Sequence, residues 1–148
     1  MLLLRSNTIL MVILSILILI PTFILAPAVK ADIAVIVNPN SELSLSPEDI
    51  QNLFLAKKAF FPNGNKATLV TVESSSALFE EFCHKVVNRR PRQFLSYWAR
   101  LVFTGKAAPM IRASSDQDIK VLISQNPNYI GFISTSELDD SVRSVQQY

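Results

Sequence analysis

Residues 67–82 read Ala-Thr-Leu-Val-Thr-Val-Glu-Ser-Ser-Ser-Ala-Leu-Phe-Glu-Glu-Phe, and this one stretch carries a strand, a turn and a helix in succession. Leu69, Val70, Thr71 and Val72 form a short, largely apolar and β-branched run, as suits a buried strand. Leu78, Phe79, Phe82 and Val86 then recur at the period of a helix. Ser74, Ser75 and Ser76 fall between the two, where the helix begins. A helix start offers unpaired backbone N–H groups and the positive end of the helix dipole. With three hydroxyls beside it, a small oxyanion is the expected guest. The plainer reading of the same residues is that one serine caps the helix and the others are solvated loop.

Toward the N-terminus, Asp32-Ile33-Ala34-Val35-Ile36-Val37 is a nearly unbroken apolar run closed by Asn38-Pro39-Asn40, which suits a strand covered on both faces. The polar loop after it, with Asn38, Ser41 and Ser44, lies just past the carboxyl end of that strand, where open α/β sheets bind ligands. Ser46-Pro47-Glu48-Asp49 supplies a cap, a proline at the first helical position and acids in the first turn. A helix therefore follows, with Ile50, Leu53 and Phe54 inward. Lys57, Lys58, Phe60, Phe61 and Pro62-Asn63-Gly64-Asn65 read as a helix end and a turn, both phenylalanines covering the core edge.

Toward the C-terminus, Arg89, Arg90 and Arg92 surround Pro91 at a helix junction and read as a solvated corner. Pro91 opens a helix in which Phe94, Tyr97, Trp98, Leu101 and Val102 recur at i, i+3, i+4, i+7 and i+8, the spacing of a face packed onto a sheet. Gly105 ends it. Ser115-Asp116-Gln117-Asp118 starts a further helix with Ile119, Leu122 and Ile123 inward, stopped by Asn126-Pro127-Asn128. Residues 129–133 form a strand whose Gly131 signals a close approach by a neighbour or a ligand, and residues 142–145 are a candidate edge strand. The order strand, helix, strand, helix, helix, helix, strand predicts one α/β layer with crossover connections in a single small domain.

Residues 1–31 carry Arg5, an uncharged apolar run and the ending Val29-Lys30-Ala31, the pattern of a secretory signal cut after Ala31. The uncharged span 8–29 also meets the length of an uncleaved membrane anchor, which takes about 20 apolar residues. Either way residues 32–148 are expected in the periplasm or otherwise exported. Two of the 14 basic residues and none of the 12 acidic ones lie in that leader, so the remainder is formally neutral. It lacks the clustered basic surplus of a nucleic-acid binder. Cys83 is the single cysteine, so no internal disulfide forms. His84 beside it points about 100° away on a helix, which rules out a nucleophile-base pair. One cysteine and one histidine also argue against a zinc site, so neither an enzyme nor a cofactor is expected.

Several segments together resemble the phosphate-binding proteins of ABC importers, in particular short exported members of the type 2 periplasmic binding protein superfamily. They are Leu45-Ser46-Pro47-Glu48-Asp49-Ile50-Gln51-Asn52-Leu53-Phe54-Leu55-Ala56-Lys57-Lys58, Phe61-Pro62-Asn63-Gly64, Tyr97-Trp98-Ala99-Arg100-Leu101-Val102-Phe103-Thr104-Gly105-Lys106, and Asn126-Pro127 through Ile130-Gly131-Phe132. The resemblance implies a single α/β lobe, a small mixed sheet flanked by helices. In full-length relatives it also implies phosphate held between two lobes by serine and threonine hydroxyls, helix amides, an arginine and an acid. Ser74, Ser75 and Ser76 match the serine-rich turn, and the loop with Asn38 and Ser41 takes the place of a second phosphate-contacting turn. Phe79 stands where the arginine is expected.

Two functions follow. The first is a non-catalytic solute-binding-like protein that offers Ser74, Ser75 and Ser76 to phosphate or a related oxyanion, helped by Asn38 and Ser41 and linked to phosphate import through a membrane transporter. The second is an interaction module for a membrane sensor or transporter that has lost ligand binding, with Phe79 exposed beside the serines.

Overall fold

The computed structural model describes residues 32–148, and the expectations for residues 1–31 lie outside them. In chain order come β1 (Ile33–Val37), α1 (Pro47–Phe54), β2 (Thr68–Val72), α2 (Ala77–Lys85), α3 (Pro91–Phe103), β3 (Ile111–Ala113), α4 (Asp116–Gln125), β4 (Tyr129–Ser134) and β5 (Arg143–Gln147). A 3-10 turn, Thr135–Glu137, separates the last two strands. The strands make one sheet in the order β3-β2-β4-β1-β5. β2 is parallel to β3 and β4, while β1 is antiparallel to β4 and β5. β1 alone therefore runs against the other four.

The apolar run of β1 is explained by this place in the sheet, since all five of its residues are buried. Successive side chains of a strand point to opposite faces, so Gly131 and Phe132 of β4 show what covers each side. A Cβ on Gly131 would lie 3.1 Å from Ile119 Cγ2 of α4 and 3.3 Å from Val70, so the close approach is made by protein neighbours. On the other face the Phe132 ring stacks on Phe82 of α2 with centroids 3.7 Å apart. Phe54 of α1 meets Phe82 edge-on at 4.8 Å. Each such pair adds about 0.5–1.5 kcal/mol beyond its buried area. α4 thus covers one face and α1 and α2 the other.

Three expectations change. β3 was not foreseen, because three residues after Pro109 show no period of their own. Phe61 is buried, but its neighbour Phe60 is 56% exposed, the pair pointing to opposite sides of an extended segment that bridges to Lys66. The stripe on α3 packs onto helices and not onto the sheet: Phe94 meets Phe79 and Phe82, while the Trp98 indole donates to the Phe54 carbonyl at 2.8 Å. Only that part of the helix is covered, and Val102 and Phe103 at its end are exposed.

Candidate functional site

Because β2, β3, β4 and β5 point the same way, their carboxyl ends share one edge of the sheet, and α2 and α4 both start there. Ser76 is the N-cap of α2, its hydroxyl oxygen accepting from the Phe79 amide at 3.1 Å. The Ser76 amide donates to the Glu73 carbonyl at 3.1 Å, which makes a tight turn with Ser74 and Ser75 at its tip. The Ala77 and Leu78 amides open the helix and have no carbonyl within it to bond. While its oxygen accepts, the Ser76 hydroxyl keeps a proton to donate. One serine therefore caps and the turn still presents donors.

A shallow depression of about 470 Å³ lies in front of this turn, lined by Ser74, Ser75, Ser76, Glu80, His84, Arg90, Pro91 and Arg92. Ser76, Glu80 and His84 stand at i, i+4 and i+8 on one side of α2, so the depression extends along that helix toward the start of α3. Arg90 and Arg92, read from the sequence as a solvated corner, are brought to the serines by the packing of α3 on α2. No local spacing signals this. Among the described residues neither arginine forms an ion pair, whereas Arg89 lies over the Tyr97 ring at 5.3 Å. Guanidinium groups make strong charge-assisted hydrogen bonds to oxyanions, and among the described residues Glu80 is the single carboxylate in the lining.

Phe79 is 1% exposed and packs against Phe94, so it makes no patch beside the serines. Cys83 is fully buried, and burial together with Glu80 pushes its thiol up to about 12, which leaves it a packing residue.

Asn38 and Ser41 lie elsewhere. Val37 is level with Ile130, and Ile130 with Leu69, so β1 leaves the sheet at the end where β2 enters. At ~3.3 Å per residue, the remaining length of β2 puts at least about 10 Å between Asn38 and the serine turn. Both residues are also engaged in their own turn. The Asn38 amide group donates to the Ile123 and Ser124 carbonyls at 3.2 and 2.8 Å, and its oxygen accepts from the Asn40 amide at 3.0 Å. The Ser41 hydroxyl accepts from the Leu43 amide at 3.3 Å. The antiparallel course of β1 is the physical reason, since the carboxyl-end rule holds for strands that run together.

Among the described residues, no helix is long and apolar enough to cross a membrane, and no group of three or more His, Cys, Asp or Glu side chains is placed to hold a metal ion.

No family model matches the chain, and no curated protein sequence matches it. Among solved structures it is similar to a Clostridium perfringens protein assigned as a phosphate ABC transporter substrate-binding protein and solved with bound phosphate. That match has a TM-score of 0.61 and 22% identity over 79% of this chain and 46% of the other. It is also similar to an ABC-type phosphate transport receptor of Vibrio cholerae, with a TM-score of 0.58 and 20% identity over 79% of this chain and 47% of the other. The chain spans about half the length of these proteins, and at such identity the likeness is one of fold. Residues 32–148 thus have a mixed α/β fold shared with about half of a phosphate ABC transporter substrate-binding protein.

Proposed function

We propose that this chain is an exported, non-catalytic solute-binding-like protein that holds phosphate or a similar oxyanion in the depression at the start of α2. Ser74, Ser75 and Ser76 donate hydroxyl protons, the first amides of α2 add backbone donors, and Arg90 or Arg92 supplies the guanidinium that Phe79 does not. The observation that carries the reading is the meeting, in one depression, of a serine turn, a helix start and two arginines that form no ion pair among the described residues. The fold shared with phosphate-binding proteins supports it. Asn38 and Ser41 are left out of the site because they lie at the far edge of the sheet, at least about 10 Å from the serine turn. The depression is open to solvent, which limits desolvation of the anion, so the expected affinity is modest, with Kd between about 10 μM and 1 mM. A membrane transporter or sensor is the partner this function calls for. The rival reading, a lobe serving only protein contacts, loses its support from Phe79, which is buried.

Calorimetric titration with phosphate and sulfate, beside thermal melts at rising anion concentration, tests the proposal. Saturable heat and a rising melting temperature are expected, because a ligand that binds only the folded state stabilises it. Ser74→Ala with Ser75→Ala should lower phosphate affinity about tenfold, since two hydroxyl donors are lost, without moving the melt of the free protein. Absence of heat and of any shift at millimolar phosphate overturns it.

A further inference from the structure

At the opposite edge of the sheet from the serines, a second cavity opens where α1 and α3 end and β2 begins. It holds about 400 Å³, within the range of small-molecule sites. Leu53, Leu69, Trp98, Pro109 and several alanines form its walls, Lys58, Lys66 and Lys106 supply its charge, and among the described residues no carboxylate lines it. Lysines at helix ends ordinarily serve the last carbonyls of the helix. Here most of those carbonyls already have donors. Phe54 and Leu55 carbonyls accept from Trp98 and Tyr97, and the Leu101 carbonyl accepts from the Lys106 amide at 2.8 Å. Of the three ammonium groups Lys58 pairs with Asp49 at 2.9 Å, while Lys66 and Lys106 form no ion pair among the described residues. Apolar surface continues beyond the walls, for Phe60 and Phe103, 56% and 91% exposed, sit in the segments that border the cavity.

A half-open cleft with an apolar wall and, among the described residues, two lysines free of ion pairs and no carboxylate is complementary to one kind of ligand. We propose that this cavity binds an organic anion with an apolar body, of which a medium-chain carboxylate is the simplest case. The body lies against Trp98, Leu53 and Leu69, and the head group meets Lys66 and Lys106. The site is separate from the serine depression and does not rest on phosphate binding.

Trp98 is the only tryptophan of the chain, so its fluorescence reports occupancy directly. The purified protein is titrated, without detergent, with decanoate below its micelle concentration, with decanol, with inorganic phosphate, and with phosphatidylglycerol vesicles. Decanoate should change the Trp98 emission saturably, decanol should bind at least about tenfold more weakly, and phosphate should leave the emission unchanged. Lys66→Gln with Lys106→Gln, both at exposed positions, should weaken decanoate about three- to tenfold with an unaltered far-UV spectrum, in line with the loss of charge-assisted contacts. Silence toward decanoate overturns the proposal. So does an equal response to decanol, decanoate affinity unchanged in the double variant, a response to inorganic phosphate, or a response to vesicles alone, which would mark a bilayer-facing surface.

Discussion

Two helices begin at the same edge of the sheet, and their starts differ in one respect that matters. The caps are alike: Ser76 accepts from the Phe79 amide and Ser115 from the Asp118 amide, each at 3.1 Å. α4, however, carries Asp116 and Asp118 in its first turn, and an Asp116 carboxylate oxygen accepts from the Ser134 amide at 2.9 Å. Its dipole is already answered by the protein's own acids. α2 has only Glu80 in that turn, and it faces Arg90 and Arg92 across the depression. The serine cap is thus common to both starts, and the proposed anion site rests on more than the cap. What distinguishes α2 is that its positive end lacks a carboxylate at the first helical position and has cations opposite.

Ala77 occupies in α2 the position that Asp116 occupies in α4, the first of the helix, and it is exposed. Ala77→Asp should lower phosphate affinity about thirtyfold or more while stabilising the free protein by about 0.3–1 kcal/mol. Titration and urea unfolding of the same sample read both effects. Retained phosphate affinity in this variant would show that the anion sits away from the helix start.

A smaller effect sharpens the likeness of the two caps. Ser76→Ala and Ser115→Ala should each cost about 1 kcal/mol in urea unfolding, because each leaves one helix amide without its acceptor. Only the first should also weaken phosphate. Equal loss of phosphate affinity in both variants would mean that general loosening, and not the α2 start, controls binding.

The smallest effect lies in acid, on the side of α4. Lys120, almost fully buried, donates to the Asp139 carboxylate at 2.6 Å and to the Glu137 carbonyl at 3.0 Å. Lys120 and then Ser141 hold the Asp139 carboxyl at about 2, below its ordinary 3.8. A depressed folded-state value means that the unfolded chain takes up the proton first. This stabilisation is complete above pH 4 and fades as the pH falls from about 4 to about 2. Asp139→Asn should flatten part of the acid slope of the unfolding midpoint. The remainder belongs in part to Asp49, held at about 2 by Ser46 and Lys58. An unchanged slope in Asp139→Asn would show that the Lys120 pair is broken in solution.

Much of the fold was legible because its signals are local. Ser46, Pro47 and Asp49 announce α1, and the structure contains their reciprocal cap. The strand, serine turn and helix in residues 67–82 lie where the change of period puts them. β3 was missed because its three residues take their conformation from pairing with Val70, Thr71 and Val72. Phe94 and Trp98 were rightly placed inside, yet the same periodicity ran on to Val102, which the fold leaves exposed. A helical stripe states which side is apolar, not how much of it meets a partner.

The sequence by itself determined every helix and each strand but β3, the helix caps, the buried faces of α1, α2 and α4, and the presence of hydroxyls at the start of α2, because all of these depend on residues within a few positions of one another. Only the tertiary structure decided which of them lie together. The direction of β1 sends Asn38 and Ser41 to the far edge, and the packing of α3 on α2 brings Arg90 and Arg92 to Ser74, Ser75 and Ser76. Strand direction and helix packing are set by how distant apolar faces are buried together, and nothing in the order of residues near either loop records that outcome.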